Sequence, residues 1–423
     1  MGNIKEHFLS EVLQNIKSKE AKDVVYKELS YHIRMSKLDL MSKGTKEIDA
    51  EEKAVKQMGS PNDLGIHFNK LYRPMFDWKL FTLFFIIIVM GILPTINEYV
   101  QDRYAENLML KQMIYIMLGI FVSIIIMLID YRKIKKMGWF SLIAGIGLLI
   151  TLNLFPNVEI NGVGNIHLFG ITITGSSLFP LLLVFWAFYL SKEKPKLIVV
   201  LAVFLLSVFL FIGLPSFPNV FIYSVLVFIL FISSSISKEA MYTTIGVSFS
   251  LILTIFSFLW FSSKEYQKVR LLAFFNPDNY AQNAGYTYIV LKDLISAGGW
   301  MGNQEPPNYV GILTPDMAFA NITYFYGWIF SGVLFILLSL LICRLIVVSA
   351  QVKDRFGKQL ILGVCSLLAI QIVYNVGMIL GLLPIISMSL PFVSYGLTPT
   401  VINSLLIGVV LSVYRRKNIV INS

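Results

Sequence analysis

The stretch NVGMILGLLPIISMSLPFVSYG, residues 375–396, decides the fold. It starts inside an apolar run that Gly377 and Gly381 interrupt, turns at Pro384, and passes into a Pro391–Pro399 segment that reads as re-entrant. Irregular backbone at membrane depth persists only where protein or a water-filled cavity satisfies its N–H and C=O groups. The stretch therefore predicts a membrane fold in which neighbouring spans line a cavity at this point.

Outward from it, the chain is of one kind. Of its 423 residues 56% are hydrophobic and 14% charged, a balance that a soluble protein of this size cannot solvate. A span needs about 20 apolar residues. Ten runs qualify as candidates: Leu80–Pro94, Met109–Ile129, Met137–Phe155, Ile173–Leu190, Leu197–Leu214, Val220–Ser235, Ala240–Phe261, Met317–Val348, Leu360–Leu382 and Thr400–Tyr414. The fold class is all-α: a polytopic membrane protein of about ten transmembrane helices, plus a small helical bundle at the N-terminus. Cys343 and Cys365 both fall in apolar runs and read as small buried residues, with no disulfide framework or metal site.

Charge sets the topology. Lys and Arg crowd one set of connections: Arg132–Lys136, Lys192–Lys196, Lys238, Lys353–Lys358 and Arg415-Arg416-Lys417. The alternate connections are poor in them. Under the positive-inside rule both termini are expected in the cytoplasm, and the long Lys264–Pro315 loop faces outward. The net charge of +10 then reflects basic cytoplasmic loops in contact with anionic membrane lipids, and not nucleic acid. Intramembrane charges are scarce, which argues against an ion-coupled pump.

Residues 1–74 are charge-rich, with apolar residues at helical spacing: Phe8, Val12, Leu13, Ile16; Val24, Val25, Leu29, Ile33; Ile48, Ala54, Val55, Met58. Gly44-Thr45 and Gly59-Ser60-Pro61 are turns, and Ser60 with Pro61 reads as a helix cap. A bundle of three or four helices is predicted, a cytoplasmic domain ahead of the membrane domain at 77–417. Its later part, residues 50–74, resembles the short helical domain that precedes permease-like membrane proteins. His7, His32 and His67 are too scattered for a ligand set.

The outer loop, 264–315, ends at Thr314-Pro315-Asp316, an acid at the edge of the run that begins at Met317. With Thr314 as N-cap and Pro315 in the first turn, the segment is also an ordinary helix start, in which the helix dipole favours an acid.

The opening stretch closely resembles the RodA/FtsW/SpoVE family of shape, elongation, division and sporulation proteins, whose members read N-GMVLGLLPVTG-PLPFVSYGGSS there. Other segments agree: Lys111-Gln112 and Ile129-Asp130-Tyr131-Arg132 with KQ and IDYR, Arg270–Pro277 (RLLAFFNP) with RLLAFLNP, Ser296–Gly299 with GSGG, and Thr314–Ala320 with HTDFIFA. The chain departs from the family wording where Gly164–His167 replaces RRWI, where Thr323–Gly327 replaces GEELG, and where Thr314 replaces the His before the acid.

The resemblance implies a peptidoglycan glycosyltransferase that polymerises lipid II, a polyprenyl-linked saccharide, at the outer face of the bacterial cytoplasmic membrane, with a class B penicillin-binding protein as partner. The family's essential acid maps onto Asp316. The reaction joins a sugar hydroxyl to an anomeric carbon and expels pyrophosphate, so it needs a base by the hydroxyl and donors or cations by the pyrophosphate. Asp316 is the candidate catalytic residue. Arg270 and Lys268 are candidates to grip pyrophosphate or to anchor the span at headgroups. Lys111 is a lipid anchor or a substrate contact. Asn276 is a turn residue or a substrate contact. Ser394 and Tyr395 line the cavity or pack it. No cofactor is implied, although a divalent metal is compatible with the chemistry. The lost polar clusters leave a second reading open: a non-catalytic binder, transporter or regulator of lipid-linked precursor.

Overall fold

A computed structural model describes the chain except residues 1–3, 97–106, 161–162, 169–170, 215, 238, 245, 247–268, 270–271, 306, 308–313 and 419–423. It divides into two compact units. The first joins Met1–Asp77 with Val352–Asp354 and Tyr414–Ser423; the second holds Trp78–Gln351 and Arg355–Val413.

The first unit is built on four helices, α1 (Ile4–Gln14), α2 (Lys19–Ser42), α3 (Glu47–Gln57) and α4 (Pro61–Tyr72). Their shared core is Phe8, Leu9, Val12, Ile16, Ala21, Val25, Leu29, Ile33, Ala54 and Val55, which are, apart from Leu9 and Ala21, residues read at helical spacing in the sequence. Helix starts are capped locally. Ser18 accepts from the Ala21 amide at 3.3 Å, and Ser60 accepts from the Asp63 amide at 3.4 Å with Pro61 in the first turn. Ile48 differs from the periodic reading: it is exposed, because α3 turns Ala50, Ala54 and Val55 inward instead. The C-terminal tail belongs to this unit. Arg416, almost fully buried, donates through Nε at 2.9 Å and Nη2 at 3.1 Å to the two carboxylate oxygens of Glu20. The Met75 amide donates to the Arg415 carbonyl at 3.1 Å.

The second unit is a helical membrane domain. Its elements are α5 (Trp78–Met90), α6 (Leu93–Ile96), α7 (Leu108–Leu128), α8 (Tyr131–Lys135), α9 (Gly138–Leu154), α10 (Phe179–Leu190), α11 (Leu197–Gly213), α12 (Phe217–Ile232), α13 (Tyr286–Ala297), α14 (Ala318–Gln351), α15 (Arg355–Ile379) and α16 (Leu397–Arg415). Among the described residues, five helical stretches are long and apolar enough to cross a membrane: Trp78–Ile96, Leu108–Leu128, Pro315–Gln351, Arg355–Ile379 and Leu397–Arg415. Shorter apolar helices stand at Gly138–Leu154, Gly175–Leu190, Leu197–Gly213 and Pro218–Ile232. The chain is thus a multi-pass, mainly helical membrane protein. Most of the expected seventh span, Ala240–Phe261, lies outside the described residues.

Small residues let these helices approach closely, as lipid supplies no hydrophobic drive between them. A methyl group on Gly119 would meet Ser404 and Thr400 of α16; one on Gly408 would meet the backbone of Ser123 on α7.

Two features depart from the sequence reading. The connection expected at 156–172 is an antiparallel meander, β1 (Val158–Ile160), β2 (Val163–Leu168) and β3 (Ile171–Ile173), with Val158 opposite Asn165 and Ile166 opposite Ile173. Asn157 braces it by exchanging hydrogen bonds with the His167 backbone at 2.7 and 2.9 Å. The eighth span, expected as one unbroken run, is interrupted at Gly327, whose φ of 85° and ψ of 172° are not helical.

Candidate functional site

The break in α14 frees backbone groups that must find partners in an apolar medium. The segment after α13 supplies them. The Trp328 amide donates to the Gly299 carbonyl at 3.0 Å, and the Asn303 amide donates to the Tyr324 carbonyl at 2.7 Å. The Trp328 indole donates to the Ile295 carbonyl at 3.0 Å, and the Tyr324 hydroxyl donates to the Glu305 carbonyl at 3.0 Å. Gly302 and Gly327 permit the contact: each has φ near 90°, and a Cβ on either would strike the other segment's backbone. Residues Gly299–Glu305 are thereby fixed to the N-terminal part of α14, whose first residues follow the acid.

Asp316 lies in the 3-10 turn Pro315–Met317 at the head of α14. Thr314 occupies the N-cap position with extended backbone, but its side chain makes no capping hydrogen bond. The turn is held from across the molecule. Buried Asn375, near the end of α15, donates through Nδ2 to the Asp316 carbonyl at 2.8 Å and to the Met388 carbonyl at 2.6 Å. Ser394 donates to the Pro315 carbonyl at 2.6 Å while accepting from the Leu390 amide at 2.7 Å. The carboxylate itself is met by Ser387, whose hydroxyl donates to Oδ2 at 2.6 Å. Asp316 is half-buried and Ser387 exposed, so this pair stands at an open surface.

The segment that grips the turn is itself pinned. The Ile385 amide donates to the Tyr288 hydroxyl of α13 at 2.8 Å. Phe392 carries a φ of 67°, a left-handed conformation that costs a bulky residue about 1–3 kcal/mol. Its buried ring packs edge-on against Phe84 at 5.4 Å, and Gly91 leaves room for its carbonyl. The segment is thus irregular and short, and it packs against Phe84 of α5 and Gln112 of α7.

The residues singled out from sequence fall as follows. Asp316 and Ser394 are brought together through Pro315. Ser394 is buried, and both of these bonds go to backbone. Tyr395, half-buried, packs against the cluster of Leu108, Leu294, Tyr324 and Phe325, with the Tyr115 ring 5.9 Å away. Lys111 stands in the first turn of α7, next to Gln112, whose Oε1 accepts from the Gly396 amide at 3.4 Å. Asn276 is exposed at the start of the turn Pro277–Tyr280. Arg270 and Lys268 lie outside the described residues. Ser387, Asn375 and Tyr288 were not singled out as site residues. Asn375 had a signal, a polar side chain within an apolar helix; Ser387 and Tyr288 had none.

Among the described residues, no three His, Cys, Asp or Glu side chains gather into a metal-binding group. A divalent ion at Asp316 would meet one carboxylate and draw its other oxygens from substrate phosphates, an arrangement magnesium accepts.

Comparison with known proteins places this architecture. The profile of the FtsW/RodA/SpoVE family, described as cell cycle protein, matches residues 74–419. The peptidoglycan glycosyltransferase MrdB of Escherichia coli strain K12 is 28% identical over 186 residues, 42% of this chain and 50% of that protein, so the chain spans about half the length of this relative. A probable peptidoglycan glycosyltransferase FtsW of Nitrosomonas europaea is 26% identical over 387 residues, covering 84% of this chain and 97% of the relative. Among solved structures, a chain from a peptidoglycan synthase complex that coordinates polymerization and crosslinking superposes with a TM-score of 0.69 at 21% identity, over 81% of this chain and 98% of that one. The rod shape determining protein RodA of Thermus thermophilus gives a TM-score of 0.59 at 19% identity, over 81% and 97%. A match across most of the chain, with the fold to go with it, means that this protein belongs to the FtsW/RodA/SpoVE family.

Proposed function

We propose that the chain is a peptidoglycan glycosyltransferase that polymerises lipid II, or a closely related polyprenyl-linked saccharide, with Asp316 as general base. The observation that carries this reading is the mounting of Asp316. Its backbone is clamped by Asn375 and Ser394, its carboxylate is oriented by Ser387, and it remains half-open to a substrate. A carboxylate so placed takes the proton of an acceptor sugar hydroxyl as that oxygen attacks the donor's anomeric carbon. The bond from that carbon to the pyrophosphate oxygen breaks, and its electron pair leaves with the polyprenyl pyrophosphate. Lys111 and Asn276, at the head of α7 and the start of the Pro277–Tyr280 turn, are candidates for holding the anionic and saccharide parts of the substrate. Arg270 and Lys268 are the candidate pyrophosphate cations.

Residues 1–74 form a cytoplasmic domain in this reading, and 77–417 the membrane domain with its outer loop at 264–315. The clustering of Lys and Arg on alternate connections supports both termini on the cytoplasmic side. A class B penicillin-binding protein is the expected partner; likeness to a chain from a peptidoglycan synthase complex supports this.

The test is polymerisation of lipid II by the purified protein, alone and with such a partner. Wild type makes glycan chains. Asp316→Ala lowers the rate by a factor of 100 or more, as loss of a general base does, and leaves the thermal melt in place. Failure of wild type to make polymer under either condition overturns the enzyme reading and leaves a binder of lipid-linked saccharide.

A further inference from the structure

The Ser387–Asp316 contact is set by a fork. One amide nitrogen, Asn375 Nδ2, holds the carbonyls of both Asp316 and Met388, the residue after Ser387. The Asp316 carbonyl and the carbonyl one residue past Ser387 are therefore tied to a common point, and the Asp316 and Ser387 side chains meet close by, at 2.6 Å. A hydroxyl-to-carboxylate bond of that length is a strong, charge-assisted one. Ser387 is nevertheless exposed, where a hydrogen bond adds little to folding because water replaces it readily. A short, ordered bond at the open side of a reactive acid has little structural return, and its consequence is orientation.

We propose that Ser387 is a positioning residue for glycan polymerisation, holding Oδ2 of Asp316 so that Oδ1 receives the proton of the acceptor sugar hydroxyl. This rests on the polymerase reading above. Ser387 keeps its own proton throughout; the acceptor's proton moves to Oδ1, and the leaving pyrophosphate carries off the electron pair of the broken bond. Without the hydroxyl, the carboxylate samples rotamers in which neither oxygen faces the acceptor, so the loss appears in turnover and not in binding.

The experiment compares wild type, Ser387→Ala and Ser387→Thr in lipid II polymerisation. A second readout, carbodiimide labelling of Asp316 followed by mass spectrometry, needs no turnover. Ser387→Ala is expected to lower kcat about tenfold with KM within twofold, the size of one charge-assisted hydrogen bond, with an unchanged thermal melt. Ser387→Thr, which keeps the hydroxyl, restores kcat to within about threefold. Labelling of Asp316 rises severalfold in Ser387→Ala, because Oδ2 is released, and falls back in Ser387→Thr. Wild-type kcat in Ser387→Ala, a loss confined to KM, or a Thr variant as slow as Ala overturns the proposal while leaving the polymerase reading intact. Absence of polymer from wild type overturns both, and labelling then reports only whether Ser387 restrains the carboxylate.

Discussion

In the N-terminal bundle the hydrogen bonds that cap α2 and α4 join residues three apart. Around Asp316 the bonds that fix the acid join residues 59, 71 and 79 apart. The first kind of contact needs only a Ser at the helix start and the amide three residues on, and it secures only that helix end. The second kind forms only after α15 and the segment beyond it have packed against the head of α14. The helix ends of the bundle are thus secured one by one, whereas the site is a product of the finished membrane domain, and damage there should spread.

The largest expected effect tests that spread. Asn375→Leu leaves the buried Met388 carbonyl and the part-buried Asp316 carbonyl without their shared donor, at about 1–3 kcal/mol for the buried one and less for the other. We expect a clearly lower melting temperature in detergent and loss of glycan polymerisation together, since the turn and the Ser387 segment are released at once. A variant that melts like wild type and polymerises normally would mean that the site does not depend on these long-range bonds.

The next effect asks whether the bundle has a long-range tie of its own. Arg416 and Glu20 are 396 residues apart and pair within the first unit. Arg416 is nearly buried, but Glu20 is partly open, so Arg416→Met returns Glu20 to water instead of stranding it. The cost is expected at about 1–2 kcal/mol, below the figure for breaking a fully buried pair. Hydrogen exchange should quicken at the first turns of α2 and stay unchanged in α14. Equal acceleration in both would show that the unit's tie reaches beyond it.

These contrasts explain what could be read beforehand. The periodic apolar residues of α1–α3 and the Ser60-Pro61 cap depend on neighbours within a turn, so they stand out in the sequence; Ile48 departs from the pattern because its position on α3 faces solvent. The spans were legible from hydropathy, and Asp316 from its place at the edge of one. The contact between Ser387 and Asp316 is not legible, because nothing near Ser387 in sequence points to an acid 71 residues away. Ser394 stands out in the sequence by its motif, but its bond to the Pro315 carbonyl appears only once two distant segments pack. The break at Gly327 escaped for a related reason: hydropathy runs through it unaltered, and its compensation comes from Gly299–Asn303, upstream of the span. Arg416 looked like one more cation at a basic tail, and only the bundle's packing gives it Glu20.

The smallest effect lies in the bundle and sharpens the contrast from its other side. Lys37 donates to Glu51 at 2.8 Å and to Glu47 at 3.0 Å. The Lys37 hydrogen bond holds the Glu51 carboxyl below its ordinary value, and its bond to Glu51, followed by that to Glu47, holds the Lys37 ammonium above its own. For Glu51, depressed in the fold, the stabilisation is present above the ordinary carboxyl value and is lost as pH falls through the folded one. For Lys37, raised in the fold, it is complete at neutral pH and fades only as pH rises through the folded ammonium value. The pair is therefore intact from about pH 5 to 10. At a partly exposed surface it contributes only about 0.2–1 kcal/mol. A double-mutant cycle of Lys37→Met and Glu51→Gln, read by hydrogen exchange of α3 amides against each variant's own intrinsic rates, should give coupling of that size at pH 7 and a smaller one as the pH falls below the ordinary carboxyl range. The clamp on Asp316 contains backbone carbonyls and an amide that do not titrate, so the Asn375→Leu penalty measured in parallel should persist across the same range; a penalty that faded with the Lys37–Glu51 coupling would mean that charge, not buried hydrogen bonding, holds the site.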